Sequence, residues 1–250
     1  MLTRYARVLA PFYDIMFECL SLGAELRLRD KVVDVADARN GSRILDVATG
    51  TGKQAFAFAR KGYDVVGIDL SEDMLKRAKK KNKHGNVKFE NADATNLPFK
   101  DKSFDVSCVS FALHDMILAI REKALKELVR VTKTEGVIII VDYALPQNKI
   151  RKFLIYNIVR LYEPYYREFI TSHLEALLRK SGIEIKKELP VVFGAGRILK
   201  GIRINDERCG TNCPGNVTKS LSQEPALHED LQRRRNSFCN RHPLHSEAAS

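Results

Sequence analysis

Three carboxylates and one imidazole stand out for their chemistry and spacing: Asp46, Asp69, Asp93 and His114. A carboxylate can hold a sugar hydroxyl or an amino group, and an imidazole can take or give a proton near neutral pH. Asp46 opens the run Asp46-Val47-Ala48-Thr49-Gly50-Thr51-Gly52. Glycine has no Cβ and takes positive φ, so backbone there can turn sharply and approach a ligand. Gly50-x-Gly52-x-x-Ala55 also fits the G-x-G-x-x-G/A pattern of dinucleotide sites, which alone has low specificity. Asp69 follows the glycines by roughly twenty residues, the spacing at which an acid meets a ribose.

The elements that must position these groups are legible from hydrophobic patterning. Ile44, Leu45 and Val47 form a short apolar run, as expected of a strand buried on both faces, and a helical pattern starts at Lys53. Residues 65–71 read as a second strand ending in Asp69. Val87, Phe89 and Asn91 read as a third with Asp93 just past its end, and residues 102–111 as a fourth. Residues 124–131 have helical spacing, and Lys133 to Gly136 reads as a turn into a fifth, strongly β-branched strand. Residues 183–192 and about 197–204 complete seven. The acids then fall at the C-terminal ends of successive strands, the edge on which open α/β sheets bind ligands.

Asp46 with the following G-x-G turn resembles the first motif of class I S-adenosylmethionine (SAM)-dependent methyltransferases. The stretch from Asp93 through Leu97-Pro98-Phe99 to Phe104-Asp105-Val106 resembles the same family, as does Arg130-Val131-x-Lys133-x-x-Gly136 before an apolar strand. The resemblance covers about residues 1–203. It implies an α/β fold, a doubly wound, Rossmann-like, seven-stranded, mostly parallel sheet with helices on both faces and an N-terminal helical cap. It also implies SAM contacts from Asp46, Ala48, Thr49, Gly50 and Gly52, from Asp69, Leu70 and Met74, and from Asp93, Ala94 and Phe111. Asp69 would hold the ribose and Asp93 the adenine amine. Neither the N/D-P-P-Y motif of amine methylation nor the Pro-Cys nucleophile of cytosine C5 enzymes occurs, and the remainder resembles the small-molecule group that includes the ubiquinone and menaquinone biosynthesis methyltransferases.

The loop after the fourth strand, Ser110 to Met116, should face the reacting side of the pocket. Its His114 is either a general base or a loop histidine over the cofactor or capping the next helix. Residues 149–170 interleave aromatic and basic side chains. They read as a helix packing its stripe on the core, or as a lid in which Tyr165 and Tyr166 line an apolar or aromatic acceptor pocket. Their cations could also hold the protein near an anionic membrane. Nucleic acid fits less well, because these aromatics sit in apolar surroundings. Tyr13, within a run resembling a methyltransferase lid, is a further acceptor-side candidate.

The 250 residues suffice for one α/β domain with extensions, and a 44% apolar, 29% charged composition is that of a soluble globular chain, for which the cytoplasm is the default. The formal charge of +11 permits an acidic partner, but its densest cluster, residues 76–83, reads as a solvated helix end. Residues 1–35 are expected as the helical cap and 36–204 as the SAM-binding domain. Residues 205–250 read as a disordered tail, with Cys209, Cys213, Cys239, His242 and His245 poorly spaced for zinc and no metal site expected elsewhere. A small-molecule methyltransferase leads, with a nicotinamide-type oxidoreductase and a non-catalytic SAM-binding module as alternatives; oligomeric state is not legible.

Overall fold

Strands that are apolar on both faces must be covered on both, and the chain does this with a doubly wound sheet. The computed structural model describes residues 26–82, 85, 87–160 and 165–204. Among them the strands are β1 (Arg43–Val47), β2 (Asp64–Asp69), β3 (Val87–Asn91), β4 (Phe104–Ser110), β5 (Thr132–Tyr143), β6 (Ile183–Val191) and β7 (Gly196–Arg203). They form one sheet in the order β3-β2-β1-β4-β5-β7-β6. β7 is antiparallel to both neighbours, and the other pairings are parallel. The direction of winding reverses between β1 and β4, which opens a crevice at their C-terminal ends.

Residues 26–36 form helix α1, followed by α2 (Lys53–Arg60), α3 (Glu72–Lys81), α4 (Leu118–Val131), α5 (Lys149–Val159), α6 (Tyr166–Thr171) and α7 (Leu174–Lys180). One face of the sheet packs α1, α2 and α3 through Val32, Ala36, Phe58 and Leu75. The other packs α4, α6 and α7 through Leu125, Leu128, Phe169 and Leu178. Strand alternation serves both layers: Ile139 and Val141 enter the first, Ile138 and Ile140 the second. Each such side chain contributes roughly 1.5–3 kcal/mol by leaving water. The described part of the expected N-terminal cap is thus core. In α3, the Ser71 hydroxyl accepts from the Met74 amide, acids fill the first turn, and Lys79, Lys80 and Lys81 close the last. The basic run is therefore a helix end that complements the dipole. No helix among the described residues is long and apolar enough to cross a membrane.

One local expectation is corrected. Lys133 to Gly136 is not a turn but the first part of β5. A Cβ on Gly136 would lie 2.6 Å from Thr132 Cγ2 and 2.8 Å from the Asp105 carbonyl. The strand therefore runs close against β4, whose register shifts between Phe104 and Val106. Helix α7 begins at Leu174, after His173, and no side chain caps it. The Ser172 hydroxyl instead donates to the Phe169 carbonyl and accepts from Arg121.

Arg121, in α4, is 0% exposed and fastens three elements. Its guanidinium donates to the Leu113 carbonyl (3.0 Å), the Met116 carbonyl (2.7 Å) and the Glu168 carboxylate (3.1 Å), and lies over the Phe169 ring. Arg121→Met removes these charge-assisted bonds and strands two carbonyls. It is expected to lower unfolding free energy by about 2–4 kcal/mol in urea titration. A loss below about 1 kcal/mol would show that the arginine is not structural.

Candidate active site

The C-terminal ends of β1, β2 and β3 are tied into one surface by the predicted residues. Ala48 leaves β1 at φ 55, a left-handed conformation for a residue with a Cβ, and Phe111 leaves β4 at φ 52. Such conformations cost about 1–3 kcal/mol each and tend to gather at functional sites. Here they flank the crevice. The Thr49 hydroxyl donates to Asp46 Oδ2 at 2.6 Å, and the Gly50 amide donates to Asp69 Oδ2 at 2.8 Å. Asp69 Oδ1 takes the Ser71 amide at 2.8 Å. The Asn91 amide group donates to the carbonyls of Asp69 and Leu70, joining the ends of β2 and β3. Asp93 starts the turn after β3 by accepting from the Thr95 amide at 2.8 Å. Leu70, Met74, Asp93, Ala94 and Phe111 are half-buried, as residues lining a crevice can be.

The two glycines have different reasons. Around a Cβ built on Gly50 there is nothing within 4 Å, so this residue opens to the crevice. On Gly52 the Cβ would meet Phe89 at 2.8 Å and Phe56 at 2.9 Å. Gly52, at φ 81, is therefore demanded by packing and by the entry to α2. Arg29 was not singled out in the sequence; from α1 it reaches the site, donating to the Ser110 hydroxyl at 2.8 Å and lying 5.5 Å from the Phe111 ring. Only its place in a helix expected to cover the crevice could have pointed to it.

His114 lies in a 3-10 turn, Leu113–Asp115, immediately after β4. Its Nδ1 is 2.7 Å from Oδ1 of Asp142, which closes β5. Asp142 also accepts the amides of Leu113, His114 and Tyr143, so it acts as an ionised acceptor. The imidazole must then donate from Nδ1, which leaves Nε2 as the proton-accepting atom. Asp115 Oδ1 is 3.7 Å from Nε2, so an imidazolium would lie between two carboxylates. Rings surround it: Tyr143 at 4.6 Å and Phe169 at 6.2 Å, then Phe111 and Tyr166 edge-on to Tyr143. Asp142 was missed in the sequence, although an acid closing a buried strand on this edge was a usable signal. Tyr166 is fully buried in the ring cluster, as in the reading of its segment as a stripe packed on the core. Burial and the neighbouring Tyr156 push its phenol up to about 12, and its hydroxyl has no hydrogen-bond partner among the described residues. Tyr165 is half-buried just before α6. Tyr13 and the tail's Cys and His residues lie outside the described residues.

Fold and site together define a doubly wound α/β protein that gathers a glycine turn and several carboxylates at one edge of its sheet. The chain belongs to the ubiE/COQ5 methyltransferase family, whose sequence signature matches residues 5–176. It is 38% identical over 171 residues to a demethylmenaquinone methyltransferase of Paenarthrobacter aurescens, across 68% of this chain and 62% of that one. A ubiquinone/menaquinone biosynthesis C-methyltransferase, UbiE, of Citrifermentans bemidjiense is 30% identical over 201 residues, across 78% of this chain and 82% of that one. For five of the demethylmenaquinone methyltransferases that it matches, the chain spans only 54% to 64% of their length. The YcgJ protein of Bacillus subtilis shares the fold, with a TM-score of 0.57 at 20% identity over 71% of this chain and 98% of that one. Family membership removes the nicotinamide oxidoreductase reading.

Burial pushes the Asp46 carboxyl from 3.8 up to about 6, although the Thr49 hydroxyl and the Arg29 charge both pull it down. An acid raised in this way binds more protons folded than unfolded between about pH 4 and 6. Stability therefore falls as pH rises through that window, by an amount of order 3 kcal/mol above it. In the ligand-free protein, Asp46→Asn should match wild type near pH 4 and grow progressively more stable than it toward pH 7. A difference that stays constant with pH would contradict the raised value.

Proposed function

We propose that the protein transfers a methyl group from SAM to a carbon of a small aromatic acceptor of the quinol type, with His114 as the base. The observation that carries this reading is the His114–Asp142 pair, ringed by aromatic side chains on the same sheet edge as Asp46, Asp69 and Asp93. The relatives' names, which include a C-methyltransferase and demethylmenaquinone methyltransferases, support a quinone-type acceptor.

The residues present fit SAM. Two buried acceptor atoms, Asp46 Oδ1 and Gln54 Oε1, have no hydrogen-bond partner among the described residues. A ligand that satisfies both must bring donors, and SAM carries an ammonium and two ribose hydroxyls. In this reading Asp69 takes the ribose hydroxyls and Asp93 the adenine amine. Gly50 admits the ligand to the backbone, and Ala48, Thr49, Leu70, Met74, Ala94 and Phe111 line the crevice. Gly52 shapes the turn from behind.

Bound SAM supplies an electrophilic methyl group on sulfur, and the chain mainly contributes alignment and proton transfer. Nε2 of His114 takes the proton of an acceptor hydroxyl, which moves negative charge onto the ring and makes its carbon nucleophilic. Asp142 holds the imidazole with Nε2 outward and, together with Asp115, stabilises the charge that it gains. The activated ring carbon would accept that methyl, the ring would shed its carbon-bound proton to solvent, and His114 would return its own proton to the acceptor oxygen. Phe111, Tyr143 and Phe169 exclude water around that charge.

Calorimetry is expected to detect SAM and S-adenosylhomocysteine but not NADH. Asp69→Ala should weaken SAM binding by ~1.5–3 kcal/mol. Unchanged affinity in a folded variant would remove Asp69 from the ribose site. For the base, His114→Gln is expected to reduce kcat by about 10²–10⁴-fold with a quinol acceptor, while the SAM dissociation constant stays within about twofold. If SAM affinity falls in step with kcat, His114 is a cofactor contact instead.

A further inference from the structure

Helix α5 is built the wrong way round for a helix that only packs on a core. Ile150, Phe153 and Leu154, at i, i+3 and i+4, are 72%, 68% and 52% exposed, and no described side chain of the helix is buried. Beside it stands the tight turn between β6 and β7. There Phe193 is 86% exposed and Val192 39%. Both take positive φ, 50 for Val192 and 55 for Phe193, which is a strained conformation for a β-branched residue and a bulky one in succession. Strain that holds an apolar ring out in water has no folding benefit. The turn and the helix belong to one surface, because the Arg151 guanidinium lies 6.0 Å from the Phe193 ring centroid.

We propose that this surface docks on an anionic lipid bilayer, with Phe193 as the inserting tip and Ile150, Phe153 and Leu154 lying in the interface beside it. Charge argues for this occupant. Lys149, Arg151, Lys152 and Arg160 are exposed among the apolar residues, and no Asp or Glu occurs from position 144 to 162 or from 189 to 196. Apolar side chains surrounded by cations match a bilayer interface with acidic headgroups. The apolar groups also protrude on two elements, as insertion requires. The same helix reaches the ring cluster through Tyr156, 6.1 Å from Tyr166. Docking would thus bring the acceptor side of the site to the phase in which a lipophilic quinol dissolves. That use rests on the proposed methyl transfer, whereas the docking itself does not.

The test is flotation of the full chain with vesicles of phosphatidylcholine alone or mixed with phosphatidylglycerol. The expected result is at least tenfold stronger partition into the anionic vesicles, weakening with salt. Phe193→Asn should lower that partition by about tenfold while leaving melting temperature equal or higher, because asparagine tolerates positive φ. Lys149→Gln with Lys152→Gln should lower it by more than tenfold. SAM affinity, measured alongside, should be unchanged in every variant, so failure of the cofactor reading is seen separately. The proposal is overturned if wild type ignores anionic vesicles or if Phe193→Asn binds them as wild type does. It is equally overturned if sedimentation reveals a dimer that Phe193→Asn dissolves, which assigns the face to a second copy.

Discussion

Four donors converge on the buried carboxylate of Asp142: the amides of Leu113, His114 and Tyr143 and the His114 imidazole. A carboxylate removed from water tolerates few missing partners, so the loop after β4 must adopt the one path that delivers them. Arg121 holds the same turn from its other side, by its carbonyls at Leu113 and Met116. Amides are gripped by an anion and carbonyls by a cation. The turn that carries His114 is thereby fixed between β5 and α4 more firmly than its three residues could fix themselves.

The opposite half of the crevice is organised by a similar economy of buried charge. Asp69 takes the Gly50 and Ser71 amides, so the loops after β1 and β2 share one anion. Asp46, deeper, takes the Thr49 hydroxyl, and burial pushes its carboxyl up to about 6. Ala48 and Phe111, both left-handed, turn their chains away from the sheet where its winding reverses. Strain and desolvation coincide at that reversal. The far end of the sheet is ordinary by comparison, with Asp105 accepting from the Arg43 amide and pairing with Lys133.

Much of this was legible in the sequence, for identifiable reasons. The apolar strands, the glycine turn and the acids at strand ends are local signals, and all seven strands lie where patterning suggested. What was missed depends on long-range contacts. Asp142 looks like the polar end of an apolar run, and only the fold sets it against His114, 28 positions earlier. Arg121 lies before the stretch whose spacing reads as helical, and its partners Glu168 and Ser172 lie 47 and 51 positions away. Tyr166 reads equally as core stripe or as lid, and only the ring cluster shows it inside. Gly136 has turn composition but serves close packing against β4.

The central claim is that Nε2 of His114 meets the acceptor's hydroxyl while Asp142 holds the other nitrogen. A crystal structure with S-adenosylhomocysteine and a short-chain hydroquinone tests it most directly. The expected result is a hydroquinone oxygen about 2.6–3.2 Å from His114 Nε2, with the 2.7 Å bond to Asp142 retained. An imidazole turned away from the acceptor, or stacked on the nucleoside with the Asp142 bond broken, would contradict it.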